Sequence, residues 1–157
     1  MMSISSIQSY INKKNISSSP TITIGTYDPS SYNTNGSPSN MLDGNKTSSS
    51  KWNPTTSTQD LYTVTFNFSK TVTITQVIFT LIDDSAHMPK NIKIRANSSS
   101  TTNLNSTTSI TANSTGSVVT RTISLTNSYT SDSIYIIFDK TGDVYQVWVV
   151  EVEFTYA

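Results

Sequence analysis

Cysteine is absent from the 157 residues. That excludes a disulfide framework, a thiolate metal site and a cysteine nucleophile. Small secreted domains lean on disulfides, so the absence points away from an oxidising compartment. Charge is scarce too, at 13% of residues, with ten basic and ten acidic side chains in balance. Without clustered Lys or Arg there is no footprint for nucleic acid and no polybasic membrane anchor. No apolar run is long enough to span a bilayer, so membrane insertion is not expected. The first residues lack a basic segment followed by an apolar one, so a standard signal peptide is not expected. The expectation is synthesis in a cytoplasm, with a final location outside the cell or on the surface of a particle.

Catalytic groups are equally sparse. The one histidine, His87, lies in the polar stretch DDSAHMP with no nucleophile motif beside it. Asp83 and Asp84 are adjacent and so point different ways, a poor acid/base pair. Glu151 and Glu153 share one face of a strand and could pair, but a solvated face explains them as well. No Gly-rich phosphate loop is present. The chain reads as non-catalytic.

Ser, Thr and Asn fill the space left by a hydrophobic fraction of only 34%. Such a composition would suit disorder were it not for alternating strands. A length of 157 residues suits one domain with a real core. Residues 1–19 form an arm in which Ile4, Ile7 and Ile11 recur at helical spacing, beside Tyr10. It reads as a short docking helix or a frayed tail. The domain then occupies 20–157. Thr21 to Thr26 reads as a first strand, and 27–60 as a long loop that something must hold. Tyr62, Val64, Phe66 and Phe68 alternate with polar residues. Val72 and Ile74 start another strand, and the parity shifts to Val77, Phe79 and Leu81, predicting a bulge or corner near Thr75-Gln76. Ile92 to Ala96 makes a further strand. Residues 97–117 are low-complexity, with one edge strand expected near Ser109 to Ala112. Asn105 and Asn113 head Asn-x-Ser/Thr triplets that composition alone generates. Val118 to Leu125 reads as a strand that can be buried on both faces, Ile134 to Phe138 as a central strand, and Tyr145 to Tyr156 as the longest. There, Trp148, Val150, Val152, Phe154 and Tyr156 share one face. About eight strands with no helix in the body predict an all-β, antiparallel jelly-roll sandwich.

The stretch Asn40 to Trp52, NMLDGNKTSSSKW, would be the anchor of the long loop. Asp43-Gly44 is a turn signal, and turn chemistry alone would make this an ordinary loop. Oxygens crowd it, however: the Asp43 carboxylate, the Asn45 amide, the hydroxyls of Thr47, Ser48 and Ser49, and the main-chain carbonyls. Calcium takes six to eight such oxygens.

The order of segments is what adds specificity. Leu42 to Asn45, Trp52, Phe68-Ser69-Lys70, Ile92 to Ser98, and Glu151 to Phe154 follow one another in a pattern that resembles the discoidin, or coagulation factor V/VIII C-type, domain. That family belongs to the galactose-binding-like superfamily and is related to carbohydrate-binding modules. The resemblance covers about 24–156. Ser69 stands where the family usually has Gly, and Asn67 where it often has Asp. The resemblance implies a structural calcium or other hard cation. Its ligands would be the carbonyls of Asn40, Asn45 and Val150, the carboxylates of Asp43 and Glu151, and the hydroxyl or carbonyl of Ser48. It also implies ligand loops at one end of the sandwich, at Thr55 to Asp60, Asp83 to Pro89 and Thr141 to Gln146. Sugar-reading candidates there are Asp83, Asp84, His87, Tyr145 and Gln146. Two functions are expected from this reading. One is a glycan-binding or adhesion module with a glycan or glycoprotein partner. The other is a structural subunit decorating or cementing a larger assembly, such as a viral or phage particle, docked to other subunits through residues 1–19.

Overall fold

The computed structural model describes residues 19–55, 58–140 and 145–157. The expected arm, apart from Ser19, lies outside the described residues, as do four residues of the Thr141 to Gln146 loop. The strands are β1 (Ile22–Asp28), β2 (Leu61–Ile82), β3 (Asn91–Arg95), β4 (Val118–Asp139) and β5 (Val149–Tyr156). A short 3₁₀ turn spans Pro38–Leu42. All strand pairs are antiparallel. Among the described residues, no helix is long and apolar enough to cross a membrane.

Two strands of 22 residues each organise the fold. The first half of β2 pairs with β1 on one side and with the end of β4 on the other. The end of β4 pairs in turn with β3. The second half of β2 pairs with the beginning of β4 and with β5. Each long strand therefore serves both layers of a sandwich. Where two strands were expected, one through Phe68 and another starting at Val72, the chain stays extended and changes layer. The ladder between β2 and β4 skips from Asn67 to Val72 and shifts again between Ile74 and Gln76. The second shift recurs against β5 and is the bulge that the parity change at Thr75-Gln76 predicts.

The core lies between the layers. Tyr62, Val64 and Phe66 from the first half of β2, and Val77, Phe79 and Leu81 from the second, are fully buried. Aromatic rings meet edge-on across the gap: Phe66 with Phe154 at 5.3 Å, Phe68 with Phe154 at 5.1 Å, and Phe79 with Phe138 at 5.7 Å. This geometry is the one that ring quadrupoles favour.

Register also fixes where the ends lie. Both ends of β2 and both ends of β4 come to one pole. There Lys140 donates its N–H to the Asp60 carbonyl, and Tyr145 donates its own to Ala86. The middles of both strands turn at the opposite pole. The described chain enters there, where Ser69 donates to the Thr21 carbonyl, and leaves there, where Ala157 donates to the Thr73 carbonyl.

Three local expectations are overturned. Val118 to Leu125 is not buried on both faces: Thr120, Thr122 and Ser124 are exposed, because no layer covers the outer side. The last strand begins at Val149, not Tyr145. The N–H groups of Tyr145, Gln146 and Trp148 go to the carbonyls of Ala86 and His87 instead. Trp148 does not share the inward face of Phe154 either. Thr80 pairs with Glu151 and Leu81 with Val149, so Val150 is an extra residue that reverses the alternation. One residue in the low-complexity stretch is structural. The buried side chain of Asn105 accepts from Ile94 N at 2.9 Å and donates to the Ile92 carbonyl at 2.9 Å, acting as a substitute strand beside β3.

Candidate functional site

Two acidic corners hold the residues that the sequence singles out. The first joins the Asp43 loop to β5. Trp52 is fully buried against Tyr62 and Phe138, at ring distances of 6.2 and 6.3 Å. Its main chain bonds Val149 in both directions. The 3₁₀ turn buries Met41 beside it. This cover makes the start of β5 buried, including Glu151 at 5% exposure. Gly44, at φ 75°, donates its N–H to Glu151 Oε2 at 3.2 Å. The Asp43 carboxylate accepts from Asn45 N at 2.7 Å and from the Ser50 hydroxyl. Ser48 is exposed, and its carbonyl accepts from Lys51 Nζ. The hydroxyl that reaches Asp43 is therefore that of Ser50. Asn40 is half-buried, its amide donating to the Asn35 and Lys51 carbonyls.

Electrostatics mark this corner. Burial pushes the Glu151 carboxyl up to about 7, opposed by the Gly44 N–H and reinforced by the charges of Asp43 and Glu153. Lys46, paired with Glu153 at 2.6 Å, offsets only part of this. A buried carboxylate facing a second one, with hard oxygens around both, is a donor set that suits a hard cation. Among the described residues, no group of three His, Cys, Asp or Glu side chains converges anywhere. A cation here would draw on main-chain oxygens for the rest of its shell.

The second corner is the loop pole. It brings together parts of all three expected ligand loops: Asp60 through Lys140, Lys140 Nζ to the Tyr145 carbonyl at 3.2 Å, and Tyr145 through Ala86. Asp84 accepts from Ala86 N at 2.8 Å and sits 2.7 Å from His87 Nδ1. The Ala86 N–H, then His87, hold its carboxyl below the usual range. The His87 ring stacks on Trp148, at 3.4 Å between centroids and 13° between planes. Lys51 Nζ lies 4.7 Å from the same indole. Tyr145 projects at 59% exposure, more than any other large hydrophobic residue described. Below it, Tyr62 is fully buried, and burial with the nearby Asp60 raises its hydroxyl to about 12.

Asp83 and Gln146 differ from the others. Gln146 is buried. Asp83 is 1% exposed, and both of its carboxylate oxygens are engaged, by Asn113 N at 2.7 Å and Thr115 Oγ1 at 2.8 Å. These bonds hold its carboxyl below the ordinary value. Asp83 therefore shapes the 113–117 loop and does not face the pole. The pole's missed residues are Trp148, assigned to the core by an alternation that the bulge reverses, and Lys51, which no motif marked.

The F5/8 type C domain model matches residues 18–151. The chain belongs to that family. Among curated proteins no match is found. Solved structures share the fold of this F5/8 type C domain. One is the family 32 carbohydrate-binding module of C. perfringens NanJ, solved in complex with galactose. It is 15% identical, aligned over 87% of this chain and 93% of that one, with a TM-score of 0.64. Another is the family 32 carbohydrate-binding module of Streptococcus pneumoniae EndoD, 14% identical over 88% of this chain and 97% of that one, with a TM-score of 0.63. XRCC1, solved bound to the DNA pol beta catalytic domain, aligns over 85% of this chain and 95% of its own at 13% identity, with a TM-score of 0.61. At these identities the likeness is one of fold.

Proposed function

We propose that this domain is a non-catalytic glycan-binding module whose sugar site is the loop pole. The observation that carries the reading is Tyr145, exposed beside an Asp84–His87 pair that is itself braced on Trp148. An exposed phenol ring offers a flat apolar surface to one face of a sugar. Asp84, kept ionised, accepts from sugar hydroxyls, and the bracing keeps His87 from reorienting on binding. The carbohydrate-binding modules that share the fold support the same reading. Such a module works where glycans are displayed, outside a cell or on a particle.

A structural cation is part of the proposal. Asp43 and Glu151 would hold it, with the carbonyls of Asn40, Asn45 and Val150; Ser48 was the expected hydroxyl ligand, but Ser50 is the serine whose hydroxyl reaches Asp43. It would neutralise the two carboxylates and tie the long loop to β5.

The test is calorimetric titration with neutral sugars, galactose first. Saturable binding that Tyr145→Ala abolishes without changing the melting temperature supports the module. Absence of binding to any neutral sugar overturns it and favours a structural role in an assembly.

A further inference from the structure

A second groove lies away from the pole, along the open side of the sandwich between the 106–113 segment and the free edge of β4. Its volume is about 590 Å³, within the usual range for small-ligand sites. Ser106, Ser109, Ile110 and Asn113 line one wall, and Arg121 and Ile123 the other. Most of the remaining lining is hydroxyl-bearing. The first wall is fixed in place. Ile110 donates its N–H to the Lys90 carbonyl, and Asp83 clamps Asn113 and Thr115 while exchanging main-chain bonds with Gly116 and Ser117. Ile110 and Ile123 pack on the core and give the groove an apolar floor.

The chain has two arginines, and the structure uses them differently. Arg95 is spent inside the fold, on Asn103 Oδ1 at 3.0 Å and the Ser100 carbonyl at 3.1 Å. Arg121 makes one long contact, 3.4 Å to the neighbouring Thr120 carbonyl, and no close ion pair among the described residues, although its charge reaches the Asp83 carboxylate. Its planar fork is therefore available, and a guanidinium fork matches a carboxylate. Arg121 shares the inward parity of Val119 and Ile123, and a charge so placed discourages addition of a peptide strand to the edge. A hydroxyl-rich groove with one guanidinium held in no close ion pair suits a sugar that carries an acid group.

We propose that this groove binds a carboxylate-bearing sugar, a hexuronic or sialic acid, with Arg121 as its anion partner. The proposal rests on the glycan reading but places the acidic sugar at a different site from the neutral one. The experiment is an amide-resolved NMR titration of the full chain with glucuronic acid, N-acetylneuraminic acid and galactose. The acidic sugars are expected to shift amides of 106–113 and 120–124 saturably. Arg121→Gln should weaken that binding about tenfold or more, the scale of one lost charge-assisted bond. Asn113→Ala, an exposed change on the opposite wall, should weaken it less, and high salt should weaken it as well. Acidic sugars that shift nothing in the groove, or that bind Arg121→Gln as well as wild type, overturn the proposal. Galactose occupying the groove as tightly also overturns it. Galactose shifts at 84–88 and 145–148 report separately on the pole, so either site can fail alone.

Discussion

The two acidic corners are built from similar parts and end in opposite electrostatic states. At the Asp83–Asp84 corner every carboxylate is answered by N–H or O–H donors, and both carboxyls sit below their ordinary range. At the Asp43–Glu151 corner a buried carboxyl has one N–H and a distant lysine against burial and two like charges, and it rises to about 7. Turn sequence does not separate them; the supply of donors does. A corner that satisfies its own acids is finished when the chain folds. One that does not needs a proton or a cation to be finished.

The largest contrast should come from calcium. Melting wild type with calcium at one hundred times the dissociation constant should add about 2.7 kcal/mol over the chelated form. Glu151→Gln should remove that gain while leaving the chelated protein as stable or more so. Equal melting with calcium and with chelator would reduce the Asp43 loop to a turn.

Asp83→Ala strips the other corner of its acceptor and leaves the Asn113 N–H unsatisfied. A fall of several degrees in melting temperature is expected, whether or not calcium is present. A calcium-dependent loss would erase the distinction between the corners.

pH should act on the corners with opposite sign. The Glu151 value of about 7 stands above the usual 4.5, so folding favours its protonated form. That contribution is complete below about 4.5 and is lost as pH rises through about 7. Chelated wild type should therefore lose stability between about pH 5 and about 8, and Glu151→Gln should not. Asp83 and Asp84 are depressed below 3.8. Their contribution is present above that value and disappears as pH falls through their lower folded values. Denaturation midpoints in both pH ranges, compared across Glu151→Gln and Asp83→Asn, separate the two effects.

The smallest expected change in stability is that of Tyr145→Ala. The side chain is 59% exposed, and denaturation should move by no more than about 0.5 kcal/mol. A larger shift would make Tyr145 a packing residue and undercut its place at the sugar site.

Much of the sandwich was legible. Tyr62 to Phe68 alternates without interruption, and only the half-buried strand period fits it. The bulge at Thr75-Gln76 announced itself by a change of parity. The continuity of β2 and β4 did not, because side-chain parity is lost at a corner whether the chain turns or merely bends. Trp148 was misplaced for a related reason: the extra residue Val150 shows only in the register with β2. Asn105 was hidden by composition, since one buried amide among many Ser, Thr and Asn residues has no local signature. The order of segments set Asp43 beside Glu151 as an expectation, and the Gly44 N–H donates to Glu151 across 107 positions of sequence. Asp83 was drawn to the pole by position in sequence, whereas its donors lie 30 and 32 residues on.

The described chain enters at Thr21 and leaves at Ala157 beside the same turn of β2, at the pole away from Tyr145. A tether running on from either end of the described chain would hold the molecule by its back. Carried on a support, a scaffold or a neighbouring module, it would present the tyrosine end outward, and steady tension on either tether would load the middle of β2 before it reached the loops.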